Sequence, residues 1–194
     1  MPEFEPALPQ PGATDELIAR ATAGDRPAFE LLVRRTQSLV LRTALHLLGN
    51  REDARDATQD VFIRMYNYLP GFNPERPIEP WLYKITLNVC RDMLRKRARW
   101  HAGSAAETRP VAVFPRPEAR ERHELLIRAL DTLSERERAA IVLRDFEGVS
   151  TEETAQILNI RQVTVRTLIS RARIKLKQAC DAHVRAEQGD HHDV

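Results

Sequence analysis

Residues 150–177 read STEETAQILNIRQVTVRTLISRARIKLK, and the architecture of the chain is best worked out from there. Ser150 and Glu153 fit a capping box, in which each side chain satisfies the other's free helix-end amide, so a helix is predicted from Thr151. It is short, ending at Leu158, and Ala155 supplies the small residue that close helix packing needs. Asn159-Ile160 makes the turn, because asparagine tolerates the left-handed conformation, and Ile160 then plugs the core. A second helix follows with Val163, Val165, Leu168, Ile169, Ala172 and Leu176 available for packing. Its remaining positions present Arg161, Thr164, Arg166, Thr167, Ser170, Arg171, Arg173 and Lys175. This is helix-turn-helix spacing. Arginine forks match guanine edges in the major groove, and small hydroxyls fit close to bases and phosphates. A solvated basic helix in an ordinary bundle is the plain alternative.

Outward from this segment, Ser134 with Glu137 repeats the capping-box pattern, so another helix is predicted to start near residue 135 within a helical block from Glu118 to about Val184. Before it, 101–120 is expected to be a linker, since prolines at 110, 115 and 117 interrupt an Ala- and Arg-rich stretch. The first half of the chain is also helical by period. Leu17, Ile18 and Ala21 form a short stripe. Asp25 and Pro27 then open a long amphipathic helix that ends at Gly49-Asn50. Arg51–Leu69 buries Ala54, Ala57, Val61, Phe62 and Met65, and Trp81–Trp100 buries Leu82, Ile85, Val89 and Met93. Between them, Pro70–Pro80 reads as a loop. No segment alternates with period two. The expected fold is all-α, two small helical domains (14–100 and 121–184) joined by a flexible linker (101–120), with a disordered tail at 1–13 and a polar tail at 185–194.

Charge is segregated along this plan. Of 30 Lys+Arg and 28 Asp+Glu, the segments Lys84–Arg99 and Arg161–Lys177 hold 12 bases and one acid, a balance of +11 that leaves −9 for the remainder of a chain of net charge +2. In the first of these, Lys84, Arg91, Arg95, Lys96, Arg97 and Arg99 offer a phosphate-binding surface. Tyr66, Tyr68, Phe72, Trp81 and Tyr83 lie beside it, and rings among bases suit unstacked nucleotides. Trp81 and Tyr66 read equally well as core; Phe72, in a Pro-rich loop, is less obviously needed for packing. Asn88, beyond the loop, can donate and accept to a base or make a local bond. On the helix before the loop, Asp53, Asp56, Gln59 and Asp60 recur at three- and four-residue spacing. Without a second carboxylate cluster or a histidine at ligand spacing, they suit a protein-binding face or a solvated one rather than a metal.

At this point the residues match a known family. The chain resembles a bacterial extracytoplasmic-function sigma factor, the compact class with two helical domains. The matching pieces run in family order from Asp56-Ala-Thr-Gln59-Asp60-Val-Phe62, through Trp81-Leu82, Ile85, Asn88, Asp92 and Arg95, to Leu133–Arg138, then Thr154–Leu158, Thr164–Arg166 and Arg171–Arg173, covering about residues 14–180. The resemblance implies a sigma-2 domain that binds core RNA polymerase and melts the −10 element, and a sigma-4 domain that reads the −35 duplex. It implies docking on the polymerase clamp helices by Asp53, Asp56, Gln59, Asp60 and Phe62, and a contact with the flap. It implies −10 contacts by Phe72, Trp81, Lys84, Asn88, Arg91 and Arg95, and −35 contacts by Thr164, Arg166, Thr167, Ser170, Arg171 and Arg173. It also implies control by an anti-sigma factor. Two departures concern the −35 reader: Leu168 stands where the family often has Arg, and Arg161-Gln162-Val163 where it often has Ser-Glu-Gly. Prolines at 74, 77 and 80 make the capture loop individual, so the −10 base preference does not carry over.

Other classes find little support. There is no Walker loop, HExxH or defensible Cys–His pairing, so no catalytic site, metal or cofactor is expected. An ordinary dimeric regulator would need neither the acidic motif nor the aromatic loop, and an adaptor with incidental basic faces would bind no DNA. Cys90 and Cys180 are expected to be free thiols in a reducing cytoplasm, Cys90 buried and inert. No apolar run is long enough to span a membrane. His191-His192 reads as part of a solvated tail.

Overall fold

The computed structural model describes residues 11–101 and 117–189, with side chains for 15–99 and 124–182. The tail at 1–10, the segment 102–116 and the final residues with His191-His192 lie outside the described residues. Four long elements build the first half: α1 (Pro11–Thr22), α2 (Arg26–Leu48), α3 (Arg51–Tyr68) and α4 (Ile78–His101). A 3-10 turn, Leu69–Gly71, links α3 to the loop before α4. The second half holds α5 (Pro117–Asp131), α6 (Glu135–Ile141), a π-helical turn at Val142–Phe146, α7 (Thr151–Leu158) and α8 (Gln162–Gly189).

Local chemistry sets most of these boundaries. The Asp25 carboxylate accepts from the Ala28 N–H at 3.1 Å and starts α2, while Gly49, at φ 70°, ends it in the left-handed region that a Cβ disfavours. Asn50 then accepts from the Glu52 N–H at 2.8 Å and starts α3. Both capping boxes form: Ser134 with Glu137, and Ser150 with Glu153. Asn159 takes φ 53°, and the Ile160 N–H reaches back to the Ala155 carbonyl at 3.0 Å, which closes α7.

The first domain's core is built from Ile18, Leu32, Val40, Leu48, Val61, Met65, Leu69, Ile78 and Leu82, all fully buried. Thr36, Thr43, Thr58 and Thr86 are buried too, which is affordable because each hydroxyl donates to the carbonyl four residues earlier at 2.7–2.8 Å. In the second domain Ile127, Leu130, Leu133, Ile141 and Ala172 form one cluster, and Ala140, Ala155, Val165 and Ile169 another.

Five expectations change. Helix α4 begins at Ile78 rather than Trp81, so Pro80 sits in a first turn, where no amide is needed. Helix α5 begins at Pro117, and α8 continues past Val184 to Gly189. Val163 is 67% exposed, because α7 covers α8 only from the phase of Val165 and Ile169. The loop residue Phe72 packs on Trp81, ring centroids 4.7 Å apart, and is half-buried against the first core.

The two halves also touch. Helix α4 packs on α7, and α2 on the π turn. Ala139, Val142, Leu143, Val149 and Ile157 join the first domain's hydrophobic cluster, so apolar contact continues across the boundary.

Candidate interfaces for DNA and a protein partner

On α8, Thr164, Arg166, Thr167, Ser170, Arg171 and Arg173 are all exposed, on the side opposite Val165, Ile169 and Ala172. They are not equivalent. Arg173 gives its fork to Asp145 in two bonds, 2.9 and 2.8 Å, so the geometry that would grip a guanine or a phosphate is already satisfied. The Thr167 hydroxyl donates to the Val163 carbonyl at 3.0 Å. Lys175 reaches Glu137 at 2.7 Å, tying α8 to the capping box of α6. That hydrogen bond, followed by the one from the Ser134 amide, holds the Glu137 carboxyl down to about 2.

The first basic face lies on α4 and the loop before it. Tyr68, Phe72, Asn73, Arg76, Trp81 and Lys84 line one side of a cleft of about 690 Å³. Asn88 is exposed one turn beyond Lys84, and Arg95 a further two turns on. The opposite wall comes from the second domain, with Glu153, Gln156 and Ile157 of α7. Arg91 turns away from the cleft to Glu135 at 2.5 Å. The loop thus places aromatic rings and cations on one surface, as a site for an unstacked base requires, but Phe72 and Trp81 stack first on each other.

The acidic motif lies on α3. Asp56, Gln59 and Asp60 are exposed, and Phe62 is half-buried. Asp53 is paired with Arg97 of α4 at 3.2 Å, and Arg64 lies between Asp60 at 3.8 Å and Asp92 at 3.2 Å. The carboxylates therefore separate into two held by arginines within the fold and one, Asp56, with no ion pair among those described. Beside them Phe29, Val33, Phe62, Ile63 and Tyr66 line a shallow apolar groove of about 570 Å³ between α2 and α3. Ile63 and Tyr66 are large exposed apolar side chains there, a feature the acidic spacing did not reveal. Cys90 is buried, and burial pushes its thiol up to about 12, so it stays protonated and unreactive.

Sequence reasoning missed the residues that join the halves. Arg138 is 8% exposed, and its guanidinium donates to the carbonyls of Leu130 at 3.0 Å and Leu47 at 2.9 Å and to Asp131 at 2.6 Å. The Glu147 side chain has no exposed surface and accepts from Arg42 and from the Tyr83 hydroxyl. His46 lies against Phe146, ring centroids 4.5 Å apart. Nothing in the local pattern around Arg138 or Glu147 distinguishes them from surface charges.

Comparison with known proteins agrees with this layout. Residues 32–100 match the Sigma-70 region 2 family and residues 123–176 the Sigma-70, region 4 family. The ECF RNA polymerase sigma factor SigE of Mycolicibacterium smegmatis is 36% identical over 180 residues, covering 90% of this chain and 70% of SigE. CnrH, solved in complex with the cytosolic domain of CnrY, superposes with a TM-score of 0.68 at 31% identity, covering 87% of this chain and 97% of CnrH. Sigma factor RpoE of Bartonella quintana, solved with the anti-sigma factor NepR, gives 0.70 at 25% identity, covering 79% and 96%.

Proposed function

The chain belongs to the extracytoplasmic-function RNA polymerase sigma factors, and from that premise we propose how its surfaces divide the work of initiation. The protein is an initiation factor rather than an enzyme: it binds core polymerase and directs promoter-specific transcription. The observation that carries the division is that the basic part of each helix falls in a different matched region, Lys84–Arg99 of α4 in region 2 and Arg166–Lys175 of α8 in region 4.

In this reading α8 enters the major groove of the −35 duplex. Arg166 and Arg171, exposed and without an ion pair among those described, reach base edges or phosphates, while Thr164, Thr167 and Ser170 pack close. Arg173, oriented by Asp145, serves the backbone. The first domain holds the melted −10 strand. A base leaving the stack costs a few kcal/mol, and a ring at Phe72 or Trp81 with an amide at Asn88 offsets it. Lys84, Arg91 and Arg95 neutralise phosphates. Asp53, Asp56, Gln59, Asp60 and Phe62 dock on the polymerase clamp helices, with the apolar α2–α3 groove beside them, and the second domain meets the flap. An anti-sigma factor is the expected inhibitor, since RpoE of B. quintana was solved with one. The site of action is the cytoplasm, where the polymerase works. No helix among the described residues is long and apolar enough to cross a membrane.

Reconstituted transcription tests the reading, using bacterial core polymerase and the DNA upstream of this protein's own gene. Promoter-specific initiation that needs the protein is expected. Its absence, with folded protein and no inhibitor present, would overturn the reading.

A further inference from the structure

We propose that Val163 reads the C5-methyl group of a thymine in the −35 duplex, with the Thr167 methyl beside it, so that α8 discriminates by apolar contact as well as by its arginine forks. The proposal rests on the reading of α8 as the helix that enters the major groove.

Val163 is the second residue of α8 and is 67% exposed. Neither packing nor helix formation accounts for a valine there. It stands outside the clusters that Val165, Ile169 and Ala172 build, and a β-branched residue on an open helix surface is a poorer helix former than alanine. What distinguishes the position is its company. At about 100° per residue, Val163, Thr167, Ser170 and Ile174 lie within about 60° of one another. Arg166 stands about 60° from Val163 on one side of that stripe, and Arg171 about 80° on the other. The stripe therefore runs between two exposed arginines that have no ion pair among those described.

Thr167 supplies the second observation. Its hydroxyl donates to the Val163 carbonyl at 3.0 Å, so its donor is used inside the helix and its methyl is left for a partner. Residues four apart on a helix are neighbours, with Cβ atoms about 5–6 Å apart. Val163 and Thr167 thus form one small apolar patch in the first two turns, set in a cationic face. That combination fits duplex DNA. The arginines neutralise phosphates or take guanine edges, and the thymine C5-methyl is the apolar group that the major groove presents. The first turns of a recognition helix are the part that meets base edges. Ile174 shares the stripe and is exposed, but it stands about 16 Å further along the axis, beyond that part.

The test uses holoenzyme assembled from the full chain and bacterial core polymerase. Duplexes randomised over the footprint of α8 are selected by retention on it. Each thymine of the retained sequence is then replaced singly by deoxyuridine, which deletes the methyl and keeps every hydrogen-bonding group. Competition binding is the readout. At least one such replacement is expected to weaken binding by the parent about fourfold, the effect of one buried methyl. In Val163→Ala the same replacement should change affinity by less than about twofold, because the partner of that methyl is gone. Thr167→Ser, which keeps the hydroxyl, should blunt the response at a thymine of a neighbouring base pair. Ile174→Ala should respond as the parent does. All three positions are exposed, so the substitutions leave the core untouched. A retained sequence without a methyl-sensitive thymine refutes the proposal. Equal sensitivity in the parent and Val163→Ala refutes it too, whatever Thr167→Ser does, as does a loss of sensitivity in Ile174→Ala. In each of these cases the retained sequence itself shows that α8 reads duplex DNA, so the −35 reading stands while the methyl contact falls. If no sequence is retained, the −35 reading falls and takes the methyl contact with it.

Discussion

Glu137 concentrates three interactions on one oxygen, and its replacement by glutamine is the most exacting check on the second domain. Its Oε2 accepts from the Ser134 amide at 2.8 Å, the Ser134 hydroxyl at 2.9 Å and the Lys175 ammonium at 2.7 Å. Glutamine keeps an acceptor for the cap but loses the charge. The folded carboxyl lies at about 2 against an ordinary 4.5, principally through Lys175. At about 1.4 kcal/mol per pH unit, that is an upper figure of about 3 kcal/mol. Lys175 is 42% exposed although the Glu137 side chain is only 7% exposed, so solvent screening at the lysine end brings the expected loss in Glu137→Gln to about 1–2 kcal/mol. The sign is that of a depressed carboxyl. Its contribution is complete above pH 4.5 and is lost as pH falls through that value toward 2. Urea denaturation of parent and variant, followed by circular dichroism at about pH 7 and about pH 3, reads this directly, because more than about half of the difference should be gone at the lower pH. No difference at neutral pH, or the same difference at both, would refute the assignment of Glu137 as the charged link between α6 and α8.

Arg171→Ala should weaken −35 duplex binding by about 1–3 kcal/mol, and Arg173→Ala by less, because Asp145 already holds that fork; a salt titration of duplex affinity checks the order. Phe72→Ala is expected to lower promoter opening, followed by permanganate reactivity of unpaired thymines, while leaving −35 duplex affinity unchanged. An equal loss in both would remove Phe72 from the strand-capture role. At Asn159, glycine should be neutral or slightly stabilising and alanine destabilising by about 1 kcal/mol, measured by thermal melting, since a Cβ is strained at φ 53°.

What could be read from the sequence was what local chemistry determines. The capping boxes at Ser134 and Ser150 and the turn at Asn159 are settled within four residues by side chains that bond their own backbone, and each formed as expected. The core stripes of α3 and α4 followed from period. Val163 marks where the reading of α8 fails: it stands about 200° round the helix from Val165, on the face of Arg166 and Thr167, and so points away from α7. The ion pairs that withdraw Asp53 and Arg173 from their faces join separate helices, so spacing on one helix could not reveal them. The domain contact was the least legible. Arg138 and Glu147 sit among other charges, and their partners are 91 and 105 residues away, where only tertiary structure pairs them. The apolar groove beside the acidic motif was hidden likewise, because Phe29 and Tyr66 come from different helices.

The wide turn at Val142–Phe146, where the Glu147 amide reaches the Val142 carbonyl five residues back, acts as a phase setter. A helix advances about 100° per residue, so the extra residue rotates the downstream chain relative to α6 by that amount. As a result Asp145 faces α8 while Glu147 faces α2, and one turn serves the DNA reader and the domain contact at once. Side-chain substitutions within it would disturb one client or the other. Removal of a single residue would turn both away from their partners together, so this segment should tolerate changes of identity far better than changes of length.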